Sequence, residues 1–66
     1  MIKIFTRSSC GPCQTLKYWL KQKKIAYEEV DISASPYAMA PTIEVNGQVI
    51  SGLNIPLLVR LIGANN

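Results

Sequence analysis

The chain has 66 residues, 17% of them charged and 48% apolar, with seven Lys/Arg against four Asp/Glu for a net charge of +3. These values exclude a disordered chain and predict a single compact domain near the lower size limit, burying only ~60% of the surface its unfolded chain exposes. Four of the positive charges, Lys17, Lys21, Lys23 and Lys24, read as a solvated helix face, and no aromatic or Arg-rich stretch supports nucleic-acid binding.

The opening Met1-Ile2-Lys3-Ile4-Phe5 enters a strand directly. It lacks the pattern of a secretory signal, and nothing approaches a ~20-residue membrane span. The expected compartment is the cytoplasm, with no membrane partner. In a reducing compartment a Cys pair is catalytic or metal-binding more often than structural. Residues 1–6 alternate, with Ile2, Ile4 and Thr6 on one face and Lys3 and Phe5 on the other. Arg7-Ser8-Ser9 is a loop, and Ser9 or Cys10 caps a helix running from about Pro12 to Lys23. Pro12 suits the first turn, where its missing N–H costs nothing. Cys13, Leu16 and Leu20 share the core-facing side of this helix, while Lys17, Lys21 and Lys24 face outward. Trp19 reads as a core or groove residue, or as a wall of an active site.

Residues 26–32 form the second strand, completing a right-handed βαβ unit. Residues 33–40 are a loop. Strands over 42–45 and 48–51 flank Asn46-Gly47, a strong type I′ hairpin signal. Asn54 caps a last helix with Pro56 in its first turn, an apolar stripe of Leu58, Leu61 and Ile62, and Gly63 as its stop; 64–66 form a frayed tail. The order is β-α-β-β-β-α.

The chemistry gathers at Cys10-Gly11-Pro12-Cys13, which holds both cysteines of a chain without histidine. A disulfide across this spacing closes a tiny loop and constrains the unfolded chain little, so a structural staple is a poor explanation. Cys-x-x-Cys beside a βαβ unit reads as a thioredoxin-like redox motif. Cys10, at the helix N-terminus, is expected to be exposed, to have a lowered pKa and to attack a substrate disulfide. Cys13 is expected to be shielded and to resolve the mixed disulfide. Gly11 allows close approach and Pro12 stiffens the turn. Arg7 is either a second tuning charge or an ordinary surface charge.

The runs Ile4-Phe5-Thr6-Arg7-Ser8-Ser9-Cys10 into Cys13, Tyr27-Glu28-Glu29-Val30-Asp31-Ile32, Ala40-Pro41-Thr42-Ile43, Asn46-Gly47 and Ser51-Gly52-Leu53 cover nearly the whole chain. Together they resemble the glutaredoxin-type thioredoxin-fold proteins. More narrowly, they resemble the NrdH-type redoxins, glutaredoxin-like proteins that deliver electrons to ribonucleotide reductase. The resemblance implies an α/β, minimal thioredoxin/glutaredoxin-like fold: a four-stranded mixed sheet with both helices on one face. It also implies a cis bond at Ala40–Pro41 beside the Cys pair, with Pro41 leaving the Ala40 backbone free to pair with an extended substrate and keeping stray metals off the thiols. Met39, Tyr37 and Leu53 are candidates for an apolar rim, while Tyr37 and Met39 serve equally as a cover for the sheet. The expected cofactor set is none beyond a redox-active Cys10–Cys13 disulfide, with no metal, in a monomer.

The family carries a further helix where this chain has only residues 33–40. The loop has to cross one strand, ~10 Å, and eight residues reach ~26 Å, so the topology survives. One sheet face should then be wet. Lys3, Thr42 and Glu44 fit that face by alternating with Ile2, Ile4, Ile43 and Val45; Phe5 breaks the pattern and calls for a cover from Pro36, Tyr37 or Met39. The faces of the second strand are not assignable from the pattern. An ordered helix within 33–40 would count against such a trimmed fold.

Gly-Pro between the cysteines is the thioredoxin dipeptide, where typical glutaredoxins have Pro-Tyr. It implies a reduction potential nearer roughly −270 mV than roughly −200 to −230 mV. Glutathione-binding relatives carry Gly-Gly and an acidic residue after the fourth strand. Ser51-Gly52-Leu53 lacks the acid and is similar to the Ser-Gly-aromatic run of NrdH-type redoxins, a resemblance that implies a place for these three at the substrate-binding site with Arg7, Met39 and Ala40. Recycling by thioredoxin reductase is therefore expected over glutathione, although Arg7 could hold a glutathione carboxylate. The expected substrate is a disulfide-bearing protein, with ribonucleotide reductase as one candidate. Alternatives are a metal or iron–sulfur module shared between two chains and a redox-inactive scaffold.

Overall fold

The computed structural model describes residues 2–63, so the expected tail at 64–66 lies outside the described residues. The elements are β1 (Ile2–Thr6), α1 (Gly11–Gln22), β2 (Tyr27–Asp31), a 3-10 turn (Ile32–Ala34), β3 (Thr42–Val45), β4 (Gln48–Ser51) and α2 (Ile55–Gly63). The sheet order is β2-β1-β3-β4. β1 runs parallel to β2, with Ile2 opposite Tyr27, and antiparallel to β3, with Ile2 opposite Val45. β3 and β4 form an antiparallel hairpin through Asn46-Gly47, both at positive φ, 50° and 81°, as a type I′ turn requires. The thioredoxin-like architecture is the one the sequence implies.

Alternation on the central strands creates two unlike faces. Ile2 and Ile4 on β1 align with Val45 and Ile43 on β3, and Ile43 with Ile50 on β4. Leu16 and Leu20 of α1 and Leu58 of α2 join these residues in one buried cluster, so both helices cover the same face. Each such leucine contributes about 1.5–3 kcal/mol by leaving water. Asn54 starts α2: its side chain accepts from Leu57 N–H at 3.2 Å and its carbonyl from Leu58 N–H at 3.1 Å. Trp19 is half-buried against the helix-side core, and lies in a groove with Lys23, Ile25, Val59 and Ile62 rather than at the cysteines.

The opposite face carries Lys3, Phe5, Glu28, Val30, Thr42, Glu44, Val49 and Ser51 by register. This assigns the faces of β2: Glu28 and Val30 point to the open side, Tyr27 and Glu29 to the helix side. Two expectations need correction. Residues 33–40 are not wholly irregular: the second strand ends at Asp31 rather than at 32, and Ile32–Ala34 make one 3-10 turn capped by Asp31, whose carboxylate accepts from Ser33 N–H at 2.9 Å. It is a single short turn, not the family's additional helix. Thr42 is not wet either; it is 1% exposed and its hydroxyl donates to Met39 C=O. Residues 35–41, which run as a strap from the 3-10 turn to β3, cover this end of the sheet. The Tyr37 ring packs edge-on against Phe5, with centroids 4.9 Å apart and planes at 67°. Tyr37 thus serves as the cover, and Phe5 is buried although no helix among the described residues lies over it.

Candidate active site

Local structure places the cysteines. β1 ends at Thr6, and the chain turns through Ser9 at φ 65° into Cys10, the N-cap residue of α1. Cys10 has extended φ and ψ of −113° and 108°, and its Sγ accepts a hydrogen bond from Cys13 N–H at 3.1 Å. The first helical hydrogen bond runs from Gln14 N–H to Cys10 C=O at 3.2 Å. No acidic residue stands in the first turn of α1. The helix end therefore presents its partial positive charge to the Cys10 sulfur without a competing carboxylate on that turn.

The two sulfurs are joined in a Cys10–Cys13 disulfide across a Cα–Cα distance of 5.2 Å. Cys13 is fully buried, whereas Cys10 is 8% exposed. The expectation of an exposed Cys10 is thus corrected for the oxidised pair: the sulfur is bonded inward and a wall of the strap stands beside it. Cys10 nevertheless lines an open depression of about 410 Å³, together with Arg7, Ser9, Gly11, Pro12, Ala38, Met39 and Ala40; Cys13 does not. A Cβ built on Gly11 would meet nothing within 4 Å, so glycine keeps this side of the depression empty instead of relieving a clash within the chain.

The far wall is the strap. Met39 is 56% exposed and Ala40 half-buried, and the Ala40–Pro41 bond is cis. Arg7 Nη2 donates to Ala38 C=O at 3.0 Å, bracing one wall against the other. Ser51, Gly52 and Leu53, expected at the substrate site, do not line the depression. Their link to it is structural: Gly52, at φ 84°, donates its N–H to Pro41 C=O at 2.7 Å.

A second, polar depression adjoins the first and shares Arg7. It is lined also by Thr6, Ser8, Gln14, Lys17, Glu29 and Asp31. Glu29 accepts from the Thr6 hydroxyl at 2.7 Å and from Lys17 Nζ at 3.1 Å, and these bonds, Thr6 first, lower its pKa. Lys17 is accordingly half-buried and paired, not a free outward charge as expected. Asp31 is also lowered, by the Ser33 backbone N–H and then the Ser33 hydroxyl. Sequence reasoning missed Thr6, Ser9, Ala38 and Glu29. Ser9 and Ala38 carry no chemical signature, and Glu29 sits in a charged run whose faces cannot be read without the sheet register.

A joined cysteine pair capping the helix after the central strand of this mixed sheet defines a thioredoxin-fold thiol–disulfide redox protein. The glutaredoxin family model matches residues 2–50, and the chain belongs to the glutaredoxin family. Among its relatives is the glutaredoxin-like protein NrdH of Lactococcus lactis subsp. lactis (strain IL1403), 29% identical over 45 residues, which are 68% of this chain and 62% of that protein. An uncharacterized glutaredoxin-like 8.6 kDa protein in the rubredoxin operon of Clostridium pasteurianum is 30% identical over 94% of this chain and 97% of its own length. The crystal structure of the thioredoxin-like protein BC3987 is similar with a TM-score of 0.82 at 29% identity, covering 92% of this chain and 99% of that one.

Proposed function

We propose that the protein reduces disulfides in other proteins through a dithiol mechanism, with Cys10 as nucleophile and Cys13 as resolving thiol. The observation that carries this reading is the asymmetry of the pair: Cys10 borders the depression and caps α1, while Cys13 is fully buried. After reduction, the Cys13 N–H and the helix end favour a Cys10 thiolate. That thiolate attacks one sulfur of the substrate disulfide. A Cys10–substrate disulfide forms, and the other substrate sulfur leaves as a thiolate that takes a proton. Cys13, losing its proton, then attacks Cys10 Sγ and expels the second substrate thiolate. Two electrons and two protons pass to the substrate, and the Cys10–Cys13 disulfide returns. Ala40, with Met39 and Ala38, is read as the wall along which an extended substrate segment lies, in the manner of strand addition.

The preferred reductant is a thioredoxin reductase. Gly11-Pro12 between the cysteines and the absence of an acidic residue in Ser51-Gly52-Leu53 support this, and the Arg7 guanidinium is already engaged by Ala38 C=O. Ribonucleotide reductase is a candidate acceptor by resemblance to NrdH-type redoxins. The proposed donor is a cytoplasmic monomer that works without a metal or further cofactor.

The test is NADPH-driven reduction of insulin in two arms, one recycled by thioredoxin reductase and one by glutathione with glutathione reductase. Turnover in the first arm alone supports the reading. Turnover in the second alone makes the protein glutathione-dependent, and silence in both removes the proposed activity. The roles of the thiols are tested separately: Cys13→Ser should trap a mixed disulfide through Cys10, and Cys10→Ser should trap none.

A further inference from the structure

We infer that Tyr37 and Glu44 form a latch that holds the Ala38–Ala40 wall in place and so sets how tightly a protein disulfide docks beside Cys10. The inference rests on the reading of the depression as the docking place for a disulfide-bearing segment.

The wall residues bury little surface of their own. Ala38 and Met39 are exposed and Ala40 is half-buried. A helix would fix such residues through its backbone ladder. This strap has one backbone bond at its far end, Gly52 N–H to Pro41 C=O at 2.7 Å, and along the wall itself it has side-chain anchors instead. Tyr37 is fixed at two points on two strands: its ring lies against Phe5 of β1, and its Oη donates to Glu44 Oε2 of β3 at 2.6 Å. Glu44 stands opposite Lys3 in the register, so the strap is pinned across the β1–β3 junction. The other ties are of different kinds. Arg7 to Ala38 is made by an exposed side chain, and Thr42 to Met39 closes only a three-residue loop. The Tyr37 bond is partly buried and joins a hydroxyl to a carboxylate, the stronger kind of hydrogen bond. Tyr37 does not line the depression. It is therefore a positioning residue, acting on substrate through the three residues that follow it.

Tyr37→Phe keeps the ring and deletes the donor, so it tests the latch without removing the cover. In 15N relaxation of the oxidised protein, order parameters of Ala38, Met39 and Ala40 should fall from about 0.85 to below about 0.6, with those of α1 unchanged. In steady-state assays with thioredoxin reductase, KM for insulin should rise about 10-fold with kcat held within about twofold. kcat/KM for the small hydroxyethyl disulfide, which needs no extended wall, should stay within about twofold. Glu44→Gln retains a neutral acceptor and should fall between the wild type and Tyr37→Phe, whereas Glu44→Leu should repeat Tyr37→Phe. Unchanged order at 38–40 in Tyr37→Phe overturns the latch. So does a parallel loss of kcat on both disulfides, which would place the effect on the thiols. If the wild type reduces neither disulfide, the proposed function fails, and the relaxation comparison still decides whether the latch exists.

Discussion

The two faces of the sheet are built from the same four strands and do different work. On one side, Ile2, Ile4, Ile43, Val45 and Ile50 are sealed by Leu16, Leu20 and Leu58 from two helices. On the other, one tyrosine from an irregular strap covers Phe5, Thr42 is buried beneath the same strap, and the rest of the face carries Lys3, Glu28, Val30, Glu44, Val49 and Ser51. The first face holds the fold together. The second face, being thinly covered, is free to place residues 38–40 at the cysteines. A small chain can thus give up a helix without giving up its site, provided a few side chains take over the positioning.

The comparison breaks first at Leu20. Leu20→Ala should cost about 2–5 kcal/mol, against a total stability of about 3–10 kcal/mol for a chain of this length. Urea unfolding measures it, and a loss below about 1 kcal/mol would deny the helix side its dominant role. Tyr37→Ala should cost less, on the scale of the ~0.5–1.5 kcal/mol specific to an aromatic pair plus the exposed area of Phe5 and the lost hydrogen bond to Glu44. A stability loss equal to that of Leu20→Ala would mean that both faces carry the fold alike.

Two smaller effects separate the faces by pH. Glu29 belongs to the helix side, and its pKa is lowered, first by the Thr6 hydroxyl and then by Lys17. Its contribution is present above the ordinary carboxylate value and is lost as pH falls through the lower folded value. Glu29→Gln should therefore be less stable than the wild type at neutral pH, by under about 1 kcal/mol for so exposed a pair, and equal to it in acid. Tyr37 behaves oppositely. The hydrogen bond to Glu44, then burial, raises its pKa. Its contribution is present below the ordinary tyrosine value and lost as pH rises through the raised folded value. Denaturant titrations from acid to alkaline pH should show the Glu29→Gln difference vanishing at the acid end and the Tyr37→Phe difference at the alkaline end. A shared edge for both would sink the assignment.

Much of this arrangement can be read from the residues. Apolar alternation marks β1 and β3, Asn46-Gly47 marks the hairpin, the Cys10–Cys13 spacing marks the helix start, and the shortened 33–40 segment announces an open face. What resists reading depends on contacts between distant residues. Thr42 looks solvent-facing by alternation and is buried because a strap from outside the strand lies over it. Glu29 looks like one of several surface acids until the register puts it against Thr6 and Lys17. The low exposure of Cys10 follows from the closed disulfide and the far wall, and local sequence reports neither. The motif points Ser51, Gly52 and Leu53 to the site, yet none of the three lines it, and Gly52 reaches only Pro41, one residue short of the wall.

The central position of β1 has a consequence for assembly. Ile2 pairs with both Tyr27 and Val45, so β1 must wait for partners that lie 25 and more positions later in the chain. The β3–β4 hairpin needs only its two-residue turn, and such hairpins close in ~1–10 μs. Pairings distant along the chain are slower. The wall beside Cys10 exists only once β1 has met β3, whereas the spacing of the thiols is fixed when residue 13 is made. On the proposed function, chemical reactivity thus precedes selectivity as the chain matures: a partly folded molecule carries both sulfurs before it has the surface proposed to choose what they touch.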